Sequence, residues 1–317
     1  MSHEVETMAY AGQVPWHGLG TRVSADLSPR QMMQQADLEW SVESVPTVAQ
    51  FGGDLIPTGT KALVRNSDKS VLAPMIGDNW EPVQNEEAFN FFNEFCAAGD
   101  MEMHTAGSLM GGKMVWVLAK IKESFDILGK DQVDNYLLFS NPHMYGKSVN
   151  VRMTPIRVVC NNTLTMSLAG STKNEVKLNH RQAFDAALAK EKLGIAHEKF
   201  EQYKEFATFL STKRAKTDDV IQYFNTIFPH ANTGGKDIKK YEELSRSGKQ
   251  AFDILETQPG ADLAPGTWWN ALNSVTYMTD HVLGRNNESR LSSAWYGYNA
   301  GRKVRAINTA IDYAEAA

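Results

Sequence analysis

Between Met101 and Val159 the chain reads as consecutive strands separated by tight turns, and this restricts the fold to an antiparallel β architecture at its centre. Gly111-Gly112 separates two strand-like stretches, a hairpin signal. Met114-Val-Trp-Val-Leu-Ala119 is apolar without a break, as in a strand covered on both faces. A second hairpin comes next: Tyr136–Ser140 and Ser148–Val159 flank the turn-rich Asn141-Pro-His-Met-Tyr-Gly146. That loop carries His143, Tyr145 and Lys147 at or near its tip, a combination suited to stacking and to phosphate contact.

The last strand of this run holds the most specific candidate site. Val149, Val151 and Met153 alternate with Asn150, Arg152 and Thr154, the period of a strand with one polar face. Pro155 cannot donate to a ladder, and a bulge there shifts the phase of the residues after it. With the bulge Arg152 and Arg157 point the same way; without it they point oppositely. Beyond Cys160 the pattern reads as a helix start, with the N–H groups of Asn161, Asn162 and Thr163 free to attract an anion. A plainer reading of the same residues makes the arginines solvated charges and the asparagines caps.

Elsewhere the pattern is mixed. The opening, through Trp16-His-Gly-Leu-Gly20, has no sustained period and reads as an extended arm. Ser28-Pro29 starts a short helix that turns Met32, Met33 and Ala36 inward. Strands at 40–50 and 60–65 surround Phe51-Gly-Gly-Asp54. A helix opening at Asn85 and running to Gly99 spreads Phe89, Phe91, Phe92 and Phe95 over more than one face, which predicts deep burial. A long helix is expected from about His180 to Leu210, a polar flexible insertion over 232–265, and helices from Thr267 to Gly284 and from about Ser289 onward. The fold class is therefore α+β: an antiparallel sheet with β-hairpins packed on long helices, a β-β-β-α-like core and a helical C-terminal part. The expected portions are an acidic α/β segment over 1–100, sheet plus long helix over 101–215, and a helical segment over 216–317.

Charge is distributed unevenly. The formal net charge is −5, which argues against a generally basic nucleic-acid protein. Yet the first hundred residues carry 5 Lys and Arg against 14 Asp and Glu, and the remainder 27 against 23. Such polarity fits a polyanion on one face and a protein neighbour on another. No apolar run approaches the roughly 20 residues of a membrane helix. The opening residues lack the parts of a secretory signal, and there are 2 cysteines, so a cytoplasmic setting with free thiols is expected.

Catalytic chemistry finds little support. The 8 histidines are scattered, with no spacing for a metal site, and no cofactor is implied. Gly107-Ser-Leu-Met-Gly-Gly-Lys113 lacks the Gly-Lys-Ser/Thr of a phosphate loop and precedes a strand. Cys160, with His143 or His180 as base, is a weak nucleophile candidate for a hydrolase. Asp280-His281 is no obvious pair, because neighbours on a helix diverge by about 100°. The remaining feature is an aromatic and basic run near the end: Arg285, Arg290, Trp295, Tyr296, Tyr298, Arg302, Lys303 and Arg305. Stacking rings beside guanidinium groups suit single-stranded nucleic acid.

Trp16-His-Gly-Leu-Gly20, Ala106-Gly-Ser-Leu with Gly-Gly-Lys-Met-Val-Trp116, Thr154-Pro-Ile-Arg-Val-Val-Cys-Asn-Asn-Thr-Leu164, and Gly266-Thr-Trp-Trp-Asn-Ala-Leu-Asn273 with Asp280-His281 resemble the phage/plasmid-like domain-of-unknown-function family. The resemblance implies a mobile-element setting in a bacterial host and transfers no catalytic residue. Where such members have a His-Asp-Gly-Ser-like turn, this chain has Pro142-His-Met-Tyr-Gly-Lys147. The order of hairpin, strands and long helix is also similar to the core of single-strand annealing proteins of the Redβ/RecT type. Together these give a non-enzymatic single-stranded-DNA-binding protein, self-associating into a ring or filament, with an annealing or recombination-accessory role. Arg152, Arg157, Asn161 and Asn162 would hold phosphates, Lys113, Lys147 and Tyr145 would extend the groove, and Arg302, Lys303 and Arg305 would add a second contact. The alternative is an anti-restriction type antagonist of host defence, acting on a host or phage protein through its acidic first hundred residues.

Overall fold

The computed structural model describes the chain apart from residues 1–4, 13–19, 158–161, 164–174, 181–183, 188–202, 231–235, 286–289, 291–292, 295–296 and 317. Its architecture is mixed α+β with antiparallel sheets and a helical C-terminal part. The larger sheet has the order β10-β9-β8-β7-β6-β1-β2, built from Asn162–Thr163 (β10), Val149–Arg157 (β9), Asp131–Pro142 (β8), Met114–Ile127 (β7), Met101–Leu109 (β6), Val5–Ala11 (β1) and Thr21–Val23 (β2). Glu175–Leu178 (β11) also pairs with β9, antiparallel. A separate three-stranded sheet joins Val42–Phe51 (β3), Asp54–Arg65 (β4) and Val71–Ile76 (β5).

The chain divides into two units, Met1–Lys122 with Tyr136–Met153 and Glu175–Ile195, and Glu123–Asn135 with Thr154–Asn174 and Ala196–Ala317. This division interleaves in sequence and cuts across the three consecutive portions read from charge and pattern.

In the first unit the β6–β7 hairpin forms as expected. Leu109 pairs with Met114, and the intervening Met110, Gly111 and Gly112 all have positive φ, a conformation that favours glycine. Met114 through Ala119 are buried without alternation. The opening segment departs from the expected arm: β1 lies between β6, antiparallel, and β2, parallel. Met8, Ala9, Tyr10 and Ala11 are all buried, and a stretch dark on both faces shows no period. Gly107 makes the pairing possible, since a Cβ there would lie 2.5 Å from the Thr7 carbonyl oxygen.

The short helix Pro29–Gln35 (α1) carries the expected capping box between Ser28 and Gln31 and buries Met32 and Met33. The aromatic helix is instead two short ones, Asn85–Asn90 (α2) and Asn93–Ala98 (α3). The break lets the adjacent Phe91 and Phe92 both turn inward to Phe139 of β8, with centroids 5.4 and 6.3 Å away. No residue of α3 is buried. Arg65 at the end of β4 ties the smaller sheet to β1: it bonds Glu6 at 2.8 and 2.9 Å, pairs with Asp68, and lies 5.2 Å from the Trp40 ring. The carboxylates raise its pKa above the ordinary arginine value, Asp68 first.

In the second unit, residues 203–212 are helical (α4); of the helix expected from about His180 to Leu210, residues 180 and 184–185 are not helical, and 181–183 and 188–202 lie outside the described residues. Thr217–Ile227 (α5), Arg246–Asp253 (α6), Trp268–Tyr277 (α7) and Tyr298–Ala316 (α8) come after it. The stretch expected to be a polar flexible insertion holds a 3-10 turn at Tyr241–Glu243, α6 and a run of turns. Leu244, Ala251, Gln258, Ala261 and Ala264 are buried there; small apolar residues spaced among polar ones anchor it without a long periodic signal. Helix α7 is capped by Thr267, as expected, and continues into a π-helical turn, Met278–Val282.

Candidate functional site

The first turns of α8 bring together Tyr298, Arg302 and Arg305 of the basic and aromatic run that the sequence suggested, with Arg302 half-buried; Trp295 and Tyr296 lie outside the described residues. Tyr298, Arg302 and Arg305 are spaced at i, i+4 and i+7, which places them on one helical face. Tyr298 is 62% exposed. The guanidinium of Arg302 sits 4.7 Å from its ring centroid and that of Arg305 5.6 Å. Arg302 also lies 4.9 Å from the Phe228 ring and donates to Asn299 Oδ1 at 2.7 Å, so its plane is fixed. A hydrogen bond from Arg305 and the Arg302 charge pull the Tyr298 phenol below its ordinary pKa. An exposed ring with two guanidinium groups beside it brings an aromatic surface and cations to one place.

Lys303 does not belong to this surface. It is 2% exposed, and Nζ donates to Asp280 Oδ1 at 2.9 Å, with both side chains out of water. One residue on from Arg302, the helix has turned about 100°, so Lys303 shares the inner face with Ala306, Ile307, Ala310 and Ala314. Asp280 lies in the π-turn, where Thr279 Oγ1 is 3.4 Å from its Oδ1. Its sequence neighbour His281 packs on Tyr277 instead, 4.7 Å between centroids. The partner of Asp280 is thus 23 residues away, a pairing that local pattern does not reveal.

The other candidate residues are dispersed. Arg152 is half-buried on β9 opposite Glu175. Arg157 sits opposite Asn162 of β10; the side chains of both, and the whole of Asn161 and Cys160, lie outside the described residues. Asn162 and Thr163 form a strand, not a helix start, because they pair antiparallel with Arg157 and Ile156 of β9 and satisfy their backbone in a ladder. The burial of Val149, Val151 and then Thr154 shows a phase slip just before Pro155. Arg152 falls in the first unit, Arg157 and Asn162 in the second. Lys113 is half-buried in the β6–β7 turn, and its carbonyl accepts from the His143 N–H at 2.8 Å. Tyr145 and Lys147 are exposed on the β8–β9 loop.

His143 is buried, contrary to the expectation that it sits at the loop tip. Both Asn85 Nδ2 protons go to carbonyls, of Leu38 and Trp40, each at 3.1 Å. Asn85 Oδ1 must therefore accept from His143 Nε2, at 3.1 Å, which fixes the tautomer and leaves Nδ1 a bare lone pair. His180 shows the converse: Nδ1 donates to the Glu81 carbonyl at 3.0 Å, the ring stacks on Trp80 at 4.2 Å, and Nε2 is bare. Burial, then the His180 charge, pushes the His143 pKa down to about 3; burial lowers that of His180. Both rings are buried and hydrogen-bonded within the fold.

Two further features bear on chemistry. A groove of about 720 Å³ in the second unit is rimmed by Asp253, Glu256 and Asp262, which disfavours a phosphate ligand. Burial, then Glu102, raises the pKa of the Cys96 thiol, the opposite of what a nucleophile needs. Among the described residues no cluster of three or more His, Cys, Asp or Glu is placed to hold a metal. No helix among them is long and apolar enough to cross a membrane.

The motif residues of α7 are structural. Thr267 caps the helix, Trp269 Nε1 donates to Asp131 Oδ2 at 2.9 Å, Asn270 bonds Gln258, and Asn273 bonds the Trp269 carbonyl at 2.8 Å. No curated protein and no solved structure matches the chain. The model of one family, a domain of unknown function (DUF932), matches residues 74–295. That span holds the β6–β7 hairpin, the Thr154–Leu164 stretch and the Trp-Trp-Asn helix with its buried Asp280, and over more than half of its length the chain belongs to the DUF932 family.

Proposed function

We propose that the protein binds single-stranded nucleic acid without catalysing a reaction, in an annealing or recombination-accessory role for a phage or plasmid in its host's cytoplasm. The observation that carries this reading is the exposed Tyr298 ring with the Arg302 and Arg305 guanidinium groups beside it. Stacking of a base on such a ring is sequence-tolerant, and the flanking cations meet the phosphates on either side. In the first unit, the exposed Tyr145 and Lys147 of the β8–β9 loop carry the same chemistry.

Anisotropy of a labelled single-stranded oligonucleotide, titrated with the protein at several salt concentrations, tests the reading. Tyr298→Ala is expected to cost about 1–3 kcal/mol of binding. Arg305→Ala is expected to weaken binding evenly across sequences and reduce the salt slope by about one. Replacing Arg152 and Arg157 together with alanine reports on the β9 contacts; unchanged binding removes them from the site. The second reading, a host-defence antagonist working through its acidic first hundred residues, is favoured by the excess of 14 acids over 5 bases there. It predicts stoichiometric capture of a host protein and no nucleic-acid affinity.

A further inference from the structure

Three side chains of the first unit hang on one short stretch of chain, residues 81–85, between Trp80 and the first residue of α2. The His180 ring donates from Nδ1 to the Glu81 carbonyl at 3.0 Å. Asn141, near the end of β8, donates from Nδ2 to the Val83 carbonyl at 2.7 Å. His143 donates from Nε2 to Asn85 Oδ1 at 3.1 Å. These bonds fix both tautomers and the orientation of the Asn141 amide. What each side chain has left is an acceptor: His180 Nε2, Asn141 Oδ1 and His143 Nδ1. All three atoms are buried without a hydrogen-bond partner, on residues that are 2%, 0% and 0% exposed. Buried polar atoms are normally paired, so three orphaned acceptors anchored within so short a stretch point to something that all of them bind.

The two rings share one neighbourhood. His180 stacks on Trp80 and His143 packs on Trp40, with centroids 5.4 Å apart in the second pair. Both tryptophans pack in the apolar cluster of Val42, Leu63 and Ile76. The His180 charge also reaches His143, where it adds to burial in lowering the pKa. Burial lowers the pKa of His180 too, so both rings offer lone pairs at neutral pH. A single water cannot satisfy the set, because it has two protons for three acceptors. A metal ion can, as one atom. Imidazole nitrogens with an oxygen are donors that suit zinc, and a metal-bound histidine ordinarily donates its other ring N–H to a carbonyl or carboxylate. The Glu81 carbonyl and the Asn85 carboxamide fill that role here. With two histidines and an amide, the set is distinct from the clusters of three His, Cys, Asp or Glu that the described residues lack.

We infer that His143 Nδ1, His180 Nε2 and Asn141 Oδ1 form a binding site for one divalent transition-metal ion of the zinc type. Bound there, the ion ties the end of β8 and the chain just after β11 to the stretch before α2. This role is independent of nucleic-acid binding.

Equilibrium dialysis of the chelator-treated full chain against micromolar Zn²⁺ tests it, with His143→Gln and His180→Gln beside wild type and His230→Gln, at an exposed position in the second unit, as the control. Wild type and the control are expected to retain one zinc per chain and to melt at a higher Tm with zinc than without. Each of the other two variants is expected to bind at least about tenfold more weakly. Histidine ¹⁵N spectra of wild type give a readout that needs no variant: zinc should shift Nδ1 of one ring and Nε2 of another. Absence of zinc retention by wild type, variants that bind as wild type does, or ligation without that mixed pair of nitrogens would each overturn the inference, the last two marking an adventitious ion only.

Discussion

His143 lies in the chain beside Tyr145 and Lys147, and nothing in that short span separates a buried ring from two exposed side chains. The deciding residue is Asn85, 58 positions earlier, whose carboxamide oxygen accepts from the imidazole. The consequence is a pH dependence. Folding pushes the His143 pKa down to about 3 from 6.5, so between those values the unfolded chain binds the extra proton. Stability is therefore full above about pH 6.5 and falls as pH is lowered toward 3, by up to about 1.4 kcal/mol per pH unit for this group. Urea denaturation between pH 7 and 4 should show a shallower acid loss in His143→Gln than in wild type; parallel curves would remove this role. Lys303 gives the second residue-scale lesson. Its charge suggested a surface contact, and helical phase placed it against Asp280 instead. Breaking one side of a buried pair costs about 3–5 kcal/mol, whereas replacing both with apolar groups costs much less. Lys303→Met should therefore destabilise strongly, and Asp280→Leu/Lys303→Met should recover most of that loss in denaturant melts. Additive losses would show that the two side chains do not act as a pair.

At the scale of elements, periodic or turn-bounded segments were legible: α1 with its capping box, the Gly111-Gly112 hairpin, and α7 behind Thr267. The misreadings share a cause, which is that burial on both faces or a contact distant in sequence erases the local period. Strand β1 is dark on both sides and so resembled a patternless arm. The Phe91-Phe92 break answers to Phe139 on β8. The pairing of Asn162 with Arg157 replaced a helix start whose composition was right and whose conformation was not. Gly107 permits a further element-scale prediction. Because a Cβ there meets the Thr7 carbonyl oxygen at 2.5 Å, Gly107→Ala must push β1 away from β6. A loss of about 1–3 kcal/mol is expected, seen as a lowered Tm; an unchanged Tm would mean that β1 is not held there.

For the whole molecule, the fold class was readable from the pattern of strands and helices. The two units interleave, with β7, β8 and β9 each contributing residues to both, whereas charge suggested a boundary near residue 100. Composition reports averages along the chain, and units built from separated segments do not follow them. The net charge of −5 likewise hides the Arg302–Tyr298–Arg305 cluster, on which the functional proposal rests. The most direct test is the salt-dependent titration of wild-type protein into labelled single-stranded DNA. Saturable binding that weakens steeply as salt rises is the predicted result. Absence of binding at low salt would contradict the proposal.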